Sequence, residues 1–149
     1  MAGTWAGTMH TWLEPEGAPY EAPVQGSIQL VLDGRFALYL YQSRLQDEPV
    51  HGLLTMGYNT VLERYEASWI DSFHTRTAVM FCTGEQNATG FWVLGSYPDP
   101  LGGPDWGWRM ELELRDPEHI VLTAFNISPE GVETKAVMTS LARLANQRK

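Results

Sequence analysis

Trp106-Gly107-Trp108-Arg109-Met110-Glu111-Leu112-Glu113-Leu114-Arg115 alternates without a break. Trp108, Met110, Leu112 and Leu114 fall on one side of an extended chain, and Arg109, Glu111, Glu113 and Arg115 on the other. That is the pattern of a β-strand packed on one face and wet on the other. The same period of two continues in both directions. Upstream it predicts strands over Thr4–Trp12, Val24–Leu32, Arg35–Leu45, Val50–Gly57, Val61–Asp71, Arg76–Gly84 and Gly90–Tyr97. Downstream it predicts Ile120–Ile127 and Val132 to about Leu144. Turn-forming residues separate them, including Asp33-Gly34, Asp116-Pro117, Ser128-Pro129-Glu130-Gly131 and the longer Pro98–Asp105 stretch.

Ten short-linked strands leave two edges unpaired unless the sheet closes. The expected fold is therefore all-β: one antiparallel up-and-down barrel of about ten strands over residues 1–149. A two-sheet sandwich is the rival, but its Greek-key crossovers need longer connections. Only Ala142–Lys149 offers a short terminal helix. No internal repeat or low-complexity tract interrupts the pattern.

The 149 residues are 44% hydrophobic and 19% charged, a globular composition. Ten Lys and Arg against eighteen Asp and Glu give a net charge of −8, which disfavours nucleic acid and anionic membranes as partners. No stretch reaches the roughly 18 apolar residues of a membrane helix, and no basic start with an apolar run precedes Gly3; the expected compartment is the cytoplasm. Cys82 is the one cysteine, set in the apolar run Val79-Met80-Phe81-Cys82, and reads as a small buried hydrophobe.

The inward set on this reading includes Trp5, Ile28, Leu30, Leu38, Met56, Tyr65, Trp69, Phe81, Trp108, Met110, Leu112 and Phe125. Phe36-Ala37-Leu38-Tyr39-Leu40-Tyr41 is apolar on both faces, and an apolar outer face points to a covering segment or a homodimer. Ten strands enclose more space than eight, so the interior is either a small-molecule pocket or a filled core.

Asp71 shares the facing of Tyr65 and Trp69 at the end of its strand. It reads either as a polar ligand anchor or as the cap of the turn that follows. His74 lies in the same turn and reads either as an acid–base partner of Asp71 or as an exposed loop residue. Arg35, after the Asp33-Gly34 turn, either fixes that turn or faces the barrel opening. No His-x-His or His-Glu-x-x-His spacing, serine elbow or phosphate loop is present, so no metal or cofactor is called for; a lone inward histidine on haem iron is the weakest alternative.

Several stretches carry a resemblance. Gly3-Thr4-Trp5 resembles the Gly-x-Trp opening of lipocalin-like (calycin) barrels. Leu32-Asp33-Gly34-Arg35-Phe36, Gly52 through Met56-Gly57-Tyr58-Asn59, Tyr65 to Trp69-Ile70-Asp71-Ser72, Pro98-Asp99-Pro100 and the closing Lys135–Arg143 stretch are similar to the bacterial domain-of-unknown-function 1579 family. Met138 and Leu141 depart from that pattern, standing where an acidic residue and a Tyr are expected. The resemblance implies a lipocalin-like fold, with Trp5 plugging one end of the barrel against Arg143. At most it also implies binding of an apolar small molecule, and it brings no established activity with it.

The leading functional expectation is a non-enzymatic barrel that holds an apolar or amphipathic small molecule, such as a fatty acid or an aromatic metabolite. Trp69, Tyr65, Phe81, Trp108 and Met110 would line its site, with Asp71 and Arg35 as polar anchors at the mouth. The alternatives are a small acid–base enzyme using Asp71, His74, Tyr39 or Tyr41, and a structural or dimerising protein with a filled core.

Overall fold

The computed structural model describes residues 1–145. Ten strands follow one another: β1 (Gly3–Thr11), β2 (Tyr20–Val31), β3 (Phe36–Leu45), β4 (Glu48–Asn59), β5 (Arg64–Asp71), β6 (Met80–Gln86), β7 (Gly90–Tyr97), β8 (Trp106–Asp116), β9 (His119–Ile127) and β10 (Glu133–Arg143). Each pairs antiparallel with its neighbours in sequence, and β1 pairs with β10, so the sheet closes as an up-and-down barrel. Ala142 and Arg143 complete β10 rather than starting a helix, and the last residues of that expected helix, 146–149, lie outside the described residues.

Local chemistry sets the strand ends. Asp33 and Gly34 both take positive φ (59° and 80°), and the Arg35 amide donates to the Leu32 carbonyl, closing the tight turn the pair predicts. β5 starts three residues later than expected because Asn59 Oδ1 accepts the amides of Val61 and Leu62 and curls them into a turn. β6 starts four residues late because Asp71 organises residues 72–79 into a loop.

The lower half of the barrel is solid. Trp5, Ile28, Val93, Cys82, Ile120 and Leu141 are buried there, and the gap among neighbouring Met56, Phe91 and Leu112 is only about 10 Å³. Below this layer Leu30 pairs with inward-facing Ala37 yet is 53% exposed, because it has passed the plug and reached the rim. The β3 ambiguity resolves with Ala37 and Tyr39 buried inward; Leu38 points outward, contrary to expectation, as does Phe125, which lies under the Arg109 guanidinium at 4.3 Å.

The closed end is built around one pair. Trp5 is fully buried and sits in register with Arg143, whose guanidinium carbon is 4.5 Å from the indole centroid. Arg143 also donates to the Pro117 carbonyl from Nε and Nη2 (3.2 Å each) and to the Ala2 carbonyl from Nη1. Gly3, at φ 147°, leaves room for that guanidinium: a Cβ there would come within 2.5 Å of Nη1.

Replacing Arg143 by Ala removes the stacking and the carbonyl contacts together and is expected to cost about 2 kcal/mol. Arg143→Lys recovers only part, because an ammonium reproduces neither the planar stack nor the fork. Urea unfolding measures both; a midpoint unmoved in Arg143→Ala would remove the pair from any role in closure.

Candidate functional site

The other half of the barrel is hollow. A cavity of about 330 Å³ opens at the end where β5 finishes and β6 begins. That volume falls in the range of small-molecule sites, and an apolar cavity of about 150 Å³ is already enough for benzene.

Its wall grows from the register. Tyr39, Leu54, Trp69 and Met80 occupy one level across four adjacent strands, β3 to β6. Trp69 stacks on Trp108 with ring centroids 5.1 Å apart and planes 9° from parallel. The His74 ring packs on both, at 5.4 Å from Trp69 and 4.3 Å from Trp108, and meets Tyr97 edge-on at 4.6 Å. Tyr41 Oη accepts a hydrogen bond from Trp69 Nε1 at 3.0 Å. Its ring reaches that position by lying across Gly52, which stands between Tyr41 and Asp71 in the sheet; any Cβ at 52 would overlap the ring. Met9, Met110, Ala124 and Val137 complete the apolar lining.

Asp71 is buried at the cavity edge and does the work of a cap. Its Oδ1 accepts the backbone amides of His74 and Thr75, each at 2.7 Å. The Asp71 amide in turn donates to Thr75 Oγ1 at 2.7 Å, and the Arg76 amide to the Asp71 carbonyl at 2.9 Å. The loop is thus pinned so that the His74 ring turns into the cavity. Asp71 binds the His74 backbone and not its imidazole, so the two side chains form no acid–base pair.

Four of the seven residues expected at the site, Trp69, Asp71, Trp108 and Met110, are brought together here. Tyr65 shares their facing but lies four residues from Trp69 toward the closed end, about 13 Å along the strand, where it stacks on Phe91 at 4.4 Å. Phe81 lies on the outer face, 57% exposed, opposite Ser68; in a run apolar on both faces the alternation has no phase marker, and Met80 and Cys82 point inward instead. Arg35 is at the closed end, donating from Nε to the Leu32 carbonyl at 3.0 Å, and is remote from the mouth because β2 descends the whole barrel before turning. The expectation of an exposed His74 also fails, since three aromatic rings enclose it.

Tyr39, Leu54, Ala124 and Asn126 line the cavity without having been singled out as binding residues. Glycines opposite Tyr41 on both sides, Gly26 and Gly52, were the available sign that β3 turns its odd-numbered side chains inward.

Ionisation follows burial. Desolvation holds the His74 imidazole below its ordinary value of 6.5, with the Asp71 charge pulling partly the other way. Burial raises the Tyr39 and Tyr41 phenols well above their usual range and the Cys82 thiol to about 11. Among the described residues no group of three or more His, Cys, Asp or Glu side chains is placed to hold a metal ion.

The family model for a protein of unknown function (DUF1579) matches residues 1–143. The chain belongs to that family. Among solved structures the DUF1579 chain is similar in fold to Rv2717c from M. tuberculosis, with TM-score 0.64 and 13% identity over 97% of this chain and 92% of that one. It is also similar to the S-type phycobiliprotein lyase CPES from Guillardia theta, with TM-score 0.58 and 14% identity over 98% and 89% of the two chains. No curated protein matches the sequence. Identities this low establish a shared lipocalin-like barrel and nothing about chemistry.

A histidine kept neutral by the fold stabilises it fully above the unfolded-state value and progressively less as pH falls through the folded-state value. Urea unfolding should therefore lose stability as pH falls below the ordinary imidazole value of 6.5, more steeply than in His74→Phe, which keeps the packing and cannot titrate. Parallel pH profiles for the two proteins would refute a half-buried His74 held neutral by desolvation.

Proposed function

We propose that this barrel binds an apolar or amphipathic small molecule in the cavity at its open end, without catalysing a reaction on it. The observation that carries this reading is the cavity itself: about 330 Å³, walled by Trp69, Trp108, Tyr39, Met110 and Ala124, above a closed end that is packed solid. Burial of apolar ligand area at roughly 25 cal/mol per Å² supplies the driving force, less the cost of association. Asp71 Oδ1 is committed to the amides of the loop and makes no hydrogen bond to the His74 imidazole, which weighs against acid–base chemistry.

The test is titration with a neutral fluorescent probe such as N-phenyl-1-naphthylamine, alongside native mass spectrometry of the freshly purified protein. Ala124→Phe is expected to fill the cavity, weaken probe binding at least tenfold and leave the unfolding temperature within a few degrees of the parent. Equal binding by parent and variant would place the probe elsewhere.

The same protein is proposed to form a homodimer through the outer face of β3 to β6. Leu40, Leu53 and Ile70 lie side by side there, with Leu38 and Phe81 in the next row, and those two rows contain no charged side chain. The outer face of β8, by contrast, carries Arg109, Glu111 and Glu113. Strand spacing puts the patch on the order of 500 Å² per copy, enough for the centre of a weak interface. Light scattering should show a concentration-dependent dimer that Phe81→Glu abolishes; a monomer at all concentrations would dismiss it.

A further inference from the structure

We propose that the cavity takes a protonated arylalkyl amine, with its aromatic body among the ring walls and its ammonium against Asp71 Oδ2. This rests on the binding reading above and specifies its ligand.

The first observation is a half-used carboxylate. Asp71 is 8% exposed and borders the cavity, on the same face of β5 as Trp69. Its Oδ1 is engaged by the His74 and Thr75 amides, but among the described residues nothing donates to its Oδ2. Three other polar atoms of the wall, Trp108 Nε1, Tyr39 Oη and His74 Nδ1, also lack partners, and those three are sealed from water. Asp71 Oδ2 is not among the sealed atoms, so a donor in the cavity can meet it. A desolvated carboxylate oxygen without a donor is unfavourable, and an ammonium brings the donor and the opposite charge together.

The lining supplies no such cation of its own. Arg44, its one Lys or Arg, is exposed and donates to the Asp47 carbonyl at 3.1 Å. Desolvation keeps the His74 imidazole below its ordinary value, so at neutral pH it leaves Asp71 uncompensated.

The second observation is what surrounds Asp71. Trp69 precedes it by two residues on the same face, Tyr41 lies across Gly52 beside it, and Trp108 stacks on Trp69. Burial raises the Tyr41 phenol and the Asp71 charge raises it further, so the carboxylate acts on the ring next to it. Aromatic rings attract a cation, most strongly where water is excluded. Outside the cavity, the loops joining strands at the open end carry Glu14, Glu16, Asp47, Asp99, Asp105 and Glu130 against the single cation Arg76. Lys135 stands just inside them on β10 and lies over the Trp12 ring at 5.6 Å. An excess of negative charge around a mouth draws cations toward it and repels anions. A carboxylate ligand would meet that field and then be desolvated beside Asp71.

Three probes of nearly equal shape test this by calorimetry on the full chain at neutral pH: 2-naphthylmethylamine, 2-naphthylmethanol and 2-naphthoate. The amine is expected to bind about tenfold tighter than the alcohol, the order of one charge-assisted hydrogen bond over a neutral one, and the carboxylate weakest of the three. Asp71→Asn keeps an oxygen for the loop amides and removes the charge, and in it the amine and the alcohol should bind equally. In the unmodified protein the pKa of the bound amine, followed by carbon NMR of its isotope-labelled methylene, should lie at or above its value in water. Burial without a carboxylate would lower it, and this readout does not depend on the variant folding. Alcohol or naphthoate binding as tightly as the amine, a lowered pKa of the bound amine, or an amine preference that survives Asp71→Asn overturns the inference while leaving the binding reading intact. Failure of all three probes to bind overturns both.

Discussion

Everything in this barrel hangs on the closure of β1 against β10, and that closure is concentrated at Trp5 and Arg143. A ten-strand sheet has no intrinsic reason to seal at one end, since its strands enclose more volume than a single layer of side chains fills. Here a fully buried indole occupies the end, and a guanidinium lies over it while bonding back to the chain start and to the β8–β9 turn. One side chain therefore ties the first strand, the last strand and a distant hairpin together. Loss of it would free the strand pair with the greatest sequence separation, whose closure carries the largest entropic cost.

From that plug upward the barrel divides by residue size. In the lower half, inward positions carry side chains whose volumes sum to a solid core, with Ala37, Ala67 and Cys82 set among Met56, Phe91 and Leu112. In the upper half large rings line one side of the wall and Ala124, Ala136 and Val137 the other, and the centre stays open. Rings held by their neighbours cannot collapse inward as flexible aliphatic chains would. Trp69 is fixed by its stack on Trp108 and its bond to Tyr41, and Tyr41 is fixed by the space above Gly52. The cavity persists because its wall is stiff.

The sequence made the architecture legible and the site only partly so, for one physical reason. Period-two alternation assigns a face wherever one side of a strand is polar, and β8 shows this in full: its inward Trp108 and Met110 were readable directly. Where both faces are apolar, alternation carries no phase, and the errors fall there: Leu38 in β3, Phe81 in β6 and Phe125 in β9. Tyr65 and Arg35 went astray for a different reason. Facing is a local property, but height along the barrel depends on where each strand starts, and Arg35 follows a twelve-residue descent. The resemblance supplied what alternation lacked at the closed end, pairing Trp5 with Arg143 across the length of the chain.

Asp71 shows why the alternatives posed by the sequence need not exclude one another. It is the cap of its loop, and by being that cap it becomes part of the site. Two amides held at 2.7 Å by one carboxylate oxygen set the path of the chain through His74, and that path carries an imidazole onto two indoles in the middle of the barrel mouth. A side chain whose hydrogen bonds all go to backbone is ordinarily counted as structural, yet here the backbone it holds carries His74 into the wall of the cavity.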